Sequence, residues 1–138
     1  MADRQPYELG SAELEVLKAL WDTGPSTVRE VLDHLHQQGR RVAYTTVLTF
    51  LTRLEQKGFV ASDKSSQAYV YKPTVSRERV TRSRLRVLVE ELYDGATGQL
   101  ALHLMRTAKF TADEIEQLQK IIDDLDPKPT EGRSPGTR

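Results

Sequence analysis

The side chains best suited to chemistry lie in one run: Arg40-Arg41-Val42-Ala43-Tyr44-Thr45-Thr46-Val47-Leu48-Thr49-Phe50-Leu51-Thr52-Arg53-Leu54-Glu55-Gln56-Lys57-Gly58. The spacing predicts one short helix with two jobs. At about 100° per residue, Val47, Phe50, Leu51 and Leu54 fall on one side. Thr45, Thr49, Thr52 and Gln56 fall on the other, with Thr46 and Arg53 on one flank. The centre of that polar side carries neither acid nor lysine, whereas a merely solvated face more often carries both. Hydroxyls, an amide and a nearby guanidinium suit phosphates and base edges in a DNA major groove. Three threonines at 45, 46 and 49 also run against helix propensity, which favours a functional reason for them.

The elements around this helix must hold it in place. A first helix is expected from near Ser11, taken as its N-cap, with Leu14, Leu17, Leu20 and Trp21 at helical spacing, ending before Gly24-Pro25. A second begins at Ser26-Thr27, where Thr27 and Glu30 have capping-box spacing and Val28, Val31, Leu32 and Leu35 follow. Gly39 ends it, and Gly58 stops the third helix. The period then changes. Phe59–Ser62 and Ala68–Lys72 are short β-prone runs around the polar turn Asp63-Lys64-Ser65-Ser66-Gln67, a hairpin pattern closed by Pro73. Three short helices and a hairpin with a basic tip give the order of a winged helix-turn-helix, with the third helix in the major groove and the hairpin against the backbone.

A fourth helix is expected from near Ser76 to Tyr93, with Val80, Leu85, Leu88, Val89 and Leu92 as its apolar stripe and Arg77, Arg79, Arg82, Arg84 and Arg86 crowding its first half. A fifth covers about Thr97 to Ala108, with Leu100, Leu104 and Met105 apolar. A sixth starts at Thr111-Ala112-Asp113-Glu114, another capping box, followed by Ile115, Leu118, Ile121, Ile122 and Leu125. Three short amphipathic helices make a thin core alone, and a second copy of the chain can bury their stripes. Residues 1–8 are expected as a loose arm and 126–138 as a disordered tail. The fold class is therefore mainly α with a small β-hairpin wing: a DNA-binding domain over 1–75, a helical dimerisation domain over 76–125 and the tail.

The 138 residues carry 20 Lys and Arg against 20 Asp and Glu, so the net charge is zero. The distribution is uneven. Residues 40–86 hold eleven basic and three acidic side chains, a net +8, and residues 87–126 hold three basic and nine acidic, a net −6. A basic middle beside an acidic end suggests two functional regions, although ordinary solvated helix faces produce such runs too. The absence of cysteine rules out disulfides, thiolate metal sites and cysteine nucleophiles. No stretch reaches the roughly 18–20 apolar residues of a membrane span, and residues 1–10 lack a signal-peptide apolar run, so a soluble cytoplasmic protein is expected. His34 and His36 are two apart on a helix and face different ways, His103 is isolated, and Asp123, Asp124 and Asp126 form a solvated helix end. No metal, no cofactor and no enzyme are expected from these patterns.

The chain resembles the BlaI/MecI-type penicillinase repressors of bacteria. The likeness lies in Leu14-Glu15-Val16-Leu17 through Leu20-Trp21, in Ser26-Thr27-Val28-Arg29-Glu30-Val31, and in Tyr44-Thr45-Thr46-Val47 through Lys57-Gly58. It continues in Ala68-Tyr69-Val70-Tyr71 and Thr111-Ala112-Asp113-Glu114-Ile115, spanning about residues 8–125. The resemblance implies a homodimeric repressor on a roughly palindromic operator. A membrane-bound sensor protease would trigger cleavage in the C-terminal region, weaken the dimer and relieve repression. By position, Thr45, Thr46, Thr49 and Arg53 would contact DNA from the recognition helix, and Lys64, Ser65 and Gln67 would belong to the wing tip. Two departures stand out. The cleaved bond in the best-known members is Asn-Phe, and the matching position here is His103-Leu104, which weakens the link to β-lactam resistance. A copper-responsive branch carries a C-terminal cysteine cluster that this chain lacks.

Several side chains admit two readings from sequence. Arg53 contacts a phosphate or guanine, or is a solvated cation; pairing with Glu55 is disfavoured at i, i+2. Arg40 and Arg41 hold phosphates or lie in a solvated loop, and Lys64 is similar. Tyr44 contacts the backbone or packs half-buried. Leu48 reads a thymine methyl or packs on the second helix, and packing is favoured. Tyr69 and Tyr71 shape the wing, and Trp21 belongs to the core. The arginines of the fourth helix reach flanking DNA or pair with acidic helices of a second copy. Leu85, Leu88, Leu92, Leu100, Leu104, Ile115, Leu118 and Ile122 are the expected dimer contacts. A small-ligand sensor of similar fold and a helical interaction adaptor without DNA binding remain as alternatives.

Overall fold

A computed structural model of the chain describes residues 9–125. The arm expected over 1–8 and the tail expected over 126–138 lie outside the described residues. The chain divides into two compact units, 1–95 and 96–138. The first contains α1 (Ser11–Thr23), β1 (Ser26–Thr27), α2 (Val28–Gln37), α3 (Tyr44–Gln56), β2 (Val60–Asp63), β3 (Val70–Pro73) and α4 (Arg77–Tyr93). The second contains α5 (Thr97–Thr107) and α6 (Ala112–Leu125). The architecture is mainly helical with a small antiparallel sheet, a winged helix followed by further helices.

Local sequence explains most helix ends. Thr27 and Glu30 bond reciprocally at the start of α2, Thr27 N–H to Glu30 Oε1 at 2.9 Å and Glu30 N–H to Thr27 Oγ1 at 3.2 Å. Thr111 and Glu114 do the same before α6, at 2.9 and 3.0 Å. Each pair satisfies two orphan N–H groups. Ser76 caps α4 by accepting from Arg79 N–H at 3.0 Å. Gly58 adopts φ +87° after α3, and the Phe59 N–H then reaches back to the Leu54 carbonyl at 2.9 Å. Only a residue tolerant of the left-handed region closes a helix in that way.

Two details differ from the sequence reading, the start of the first helix and a strand before the second, while Arg40 and Arg41 precede the third helix as expected. The first helix is preceded by Gly10, not capped by Ser11; the Glu13 carboxylate accepts from the Gly10 N–H at 3.2 Å and Ser11 is already helical. The third helix begins at Tyr44, and Arg40–Ala43 approach it as non-helical chain. Ser26-Thr27 forms a third strand before α2, pairing Ser26 with Tyr71 and Thr27 with Val70. The sheet order is therefore β1-β3-β2, with Val60 opposite Pro73 and Asp63 opposite Val70 in the hairpin itself.

The core of the first unit is built where α1, α2, α3 and the sheet meet. Leu17 and Leu20 of α1, Val31 of α2, and Val47, Leu51 and Leu54 of α3 are sealed from solvent, and Tyr71 and Val80 join them from β3 and α4. Each such side chain contributes about 1.5–3 kcal/mol of burial, so this cluster fixes how α3 is presented. In α4 the buried positions are Val80, Ser83 and Val89, whereas Leu85, Leu88 and Leu92 of the expected stripe are exposed. In the second unit neither α5 nor α6 has a buried residue. Leu100, Phe110 and Leu118 are half-buried there, and Leu104, Ile115 and Ile122 are exposed.

Candidate nucleic-acid interface

The inner side of α3 is occupied by Val47, Leu51 and Leu54, so the opposite side must face outward. Thr45, Thr49, Thr52, Arg53 and Gln56 are exposed there, and Thr46 is half-buried at the flank. Phe50, also half-buried, lies under the Arg53 guanidinium, 5.7 Å from ring centroid to Cζ. That stacking holds the long side chain against the helix while its N–H groups stay available. No carboxylate lies within ion-pair distance of Arg53 among the described residues. The one acid of α3, Glu55, accepts from the Ser62 hydroxyl at 2.7 Å and so ties the helix to β2.

The C-terminal end of α3 is anchored by a pair distant in sequence. Lys57 Nζ meets Glu13 Oε1 at 2.7 Å, and Glu13 is buried although ionisable. Burial pushes its pKa up, but the Lys57 hydrogen bond, the Gly10 N–H and the positive charges of Lys57 and Arg53 outweigh burial and hold it below its ordinary value of 4.5. The pair ties the end of α3 to α1. At the other end, the His36 ring shares a 2.9 Å bond with the Val42 carbonyl, and a carbonyl only accepts, so Nε2 of His36 carries the proton. His34 lies 3.5 Å from Asp22 instead, so the two histidines serve different contacts.

Around α3 the expected contact residues form two flanks. Arg40 and Arg41 are exposed in the segment before the helix, with Arg40 leaning 3.8 Å from Glu15 of α1. Tyr44 is exposed at the first turn under the Arg29 guanidinium, 5.3 Å from the ring centroid. On the other flank the wing tip is shaped by Asp63, which accepts from the Ser65 N–H at 2.9 Å. That bond holds the Asp63 carboxyl below the usual carboxylate range. Lys64 Nζ lies 5.7 Å over Tyr69, and Ser65 and Gln67 are exposed beside it. Between α3 and the wing runs an open groove of about 270 Å³ lined by Val28, Tyr44, Leu48, Gln67, Ala68, Tyr69 and Tyr71. Leu48, read from sequence as a packing residue, is 37% exposed and lines this groove with Val28 of α2. Tyr71 is core as expected, while Tyr69 is exposed.

Arg29 escaped the sequence reading. It sits outward on α2, yet its stacking on Tyr44 brings a cation to the start of α3. Its only sequence signal is a lone arginine two residues after the Thr27 cap. The arginines of α4 are partly engaged within their own unit: Arg77 bonds Asp22 at 2.8 Å and covers Trp21, Arg82 pairs with Glu78 at 3.4 Å, and Arg84 reaches the Leu9 carbonyl at 3.5 Å. Trp21 is half-buried and donates its indole N–H to the Val75 carbonyl at 2.9 Å, joining α1 to the start of α4.

An exposed helix of hydroxyls and guanidinium, flanked by cations and the wing, has the chemistry that suits phosphates and base edges of duplex DNA. A regulator called BlaI from Mycobacterium tuberculosis is 32% identical over 120 residues, which cover 86% of this chain and 85% of that protein. The methicillin resistance regulatory protein MecI of Staphylococcus aureus is 26% identical over 120 residues, 87% of this chain and 97% of that protein. A solution structure of monomeric Bacillus licheniformis BlaI with the blaP half-operator covers 54% of this chain and 89% of that one, at 28% identity and a TM-score of 0.45. Residues 9–124 match the family described as penicillinase repressor, and with its winged helix in place the chain belongs to that family of DNA-binding transcriptional repressors.

Proposed function

We propose that this repressor acts in the cytoplasm as a homodimer on a roughly palindromic operator. Each subunit lays α3 in the major groove of one half-site and rests its wing on the adjacent backbone. The observation that carries this reading is the outward face of α3, where Thr45, Thr46, Thr49 and Arg53 stand without a competing carboxylate. Arg40 and Arg41 on one side and Lys64, Ser65 and Gln67 on the other contact phosphates. Neutralising several phosphates makes the affinity fall steeply with salt.

The dimer forms through residues 76–125. Leu85, Leu88 and Leu92 of α4, Leu104 of α5, and Ile115 and Ile122 of α6 are exposed, with Leu100 and Leu118 half-covered. So many large apolar side chains left in water call for a partner, and a second copy supplies it symmetrically. Repression is relieved by a membrane-bound sensor protease that triggers cutting at His103-Leu104. His103 is exposed on α5, a helix with no residue buried within its own chain. The names of the relatives make resistance genes the first operators to test.

The test is selection of bound sequences from random duplexes by the full-length protein in moderate salt. A two-fold-related motif with half-sites about one helical turn apart, or a near multiple, is expected. Enrichment of no motif would bring the interaction-adaptor reading to the front.

A further inference from the structure

Four threonines stand on α3, at 45, 46, 49 and 52. Thr49 differs from the others in what its hydroxyl does. Its Oγ1 donates to the Thr45 carbonyl one turn back, at 2.9 Å. The other three make no such bond among the described residues. A threonine Cβ carries one hydroxyl and one methyl. With its proton committed to the helix's own carbonyl, the Thr49 hydroxyl no longer donates outward, and the methyl is the apolar group this exposed side chain carries. Leu48, its neighbour, is apolar and exposed on the wing side, opening on the groove it shares with Tyr44 and Tyr69. The middle of the reading face and its wing-side edge are therefore apolar. Hydroxyls with uncommitted protons lie toward the start, at Thr45 and Thr46, and toward the end at Thr52, beside the guanidinium of Arg53.

A DNA major groove presents one apolar group, the C5 methyl of thymine. We infer that Leu48 and Thr49 are specificity residues that read thymine methyls, Thr49 through its own methyl and not its hydroxyl. Hydrogen-bonded readout then falls to Thr45, Thr46, Thr52 and Arg53. The inference rests on the proposal that α3 enters the major groove.

The test replaces each thymine of the selected operator in turn by deoxyuridine, which keeps every hydrogen-bonding group and lacks the methyl. Binding by the full-length protein is expected to weaken about fourfold per methyl lost, at one or two thymines in each half-site. The uracil penalty is then measured as a ratio within each variant, so that overall losses of affinity cancel. Thr49→Ser, which deletes the methyl and keeps the hydroxyl, should erase the penalty at its thymine. Thr49→Val, which keeps methyls and deletes the hydroxyl, should retain it. Leu48→Ala should erase the penalty at a neighbouring thymine. A half-site indifferent to uracil at every thymine, or a full penalty persisting in Thr49→Ser, would overturn the inference. If that operator were still weakened by Arg53→Ala, the reading face would survive and only methyl readout would fall. Selection of no operator would remove both.

Discussion

In the unit spanning 1–95, Leu17, Leu20, Leu51 and Leu54 are closed off from water; in the unit spanning 96–138, no described helix residue is buried. Both units place apolar residues at helical spacing, Leu and Val in the first and Leu and Ile in the second. The difference lies in what stands opposite. Around α3 the chain supplies its own partners, α1, α2 and the sheet, and the reading face is held by a finished core. For α5 and α6 the chain supplies amphipathic helices whose apolar sides remain wet. On the proposed function, that asymmetry would give a stable reading head and a grip that depends on concentration and on the integrity of the chain.

The largest effect should come from removing the grip. A chain ending at Leu104 loses all of α6 with Ile115, Leu118 and Ile122. It should sediment as a monomer and bind a two-half-site operator about a hundredfold more weakly or worse, because the second half-site no longer binds at high effective concentration. A truncated chain that stays dimeric would break the comparison outright.

Next come the two cores. Leu20→Ala should cost about 2–5 kcal/mol in chemical unfolding, since the site is sealed on all sides. Its effect should not change with protein concentration. Ile115→Ala with Ile122→Ala should lower the melting temperature mainly at low protein concentration, where the dimer dissociates. Equal behaviour of the two variants across a hundredfold dilution would show that the second unit is not stabilised by a partner.

On the reading face, Arg53→Ala should weaken operator binding by about 1–3 kcal/mol. If Arg53 meets a phosphate, the slope of log affinity against log salt should also fall by about 1, and an unchanged slope with relaxed sequence preference would assign it to a base. The smallest effect concerns the Glu13–Lys57 anchor. Glu13 has a lowered pKa in the folded chain, so its stabilisation is present above the unfolded value and is lost as pH falls through the folded one. Glu13→Gln should cost about 1–2 kcal/mol near neutral pH and flatten the acid limb of the stability curve below about pH 4.5. A parallel acid limb in both proteins would show that the anchor is not held by charge.

Much of this was legible before any coordinates. Thr27 with Glu30, Thr111 with Glu114, and Gly58 each announce a helix end within three or four residues, and those ends stand as expected. The alternation around Asp63–Gln67 announced the wing. What escaped depends on contacts far apart in sequence. Ser26-Thr27 is too short to show a strand period, and its partners Tyr71 and Val70 lie more than forty residues on. The Glu13–Lys57 anchor, the Trp21 bond to Val75 and the Arg29 stack on Tyr44 are equally invisible to local pattern. For Leu85, Leu88 and Leu92, periodicity named a side that seeks burial and was silent on what would bury it.

The central claim is that one finished head and one unfinished grip per chain make a two-headed repressor. Sedimentation of the full-length chain with duplexes carrying either the complete selected operator or a single half-site tests it most directly. The account predicts two chains on the complete operator, bound far more tightly than the half-site. One chain per duplex, with equal affinity for both duplexes, would contradict it.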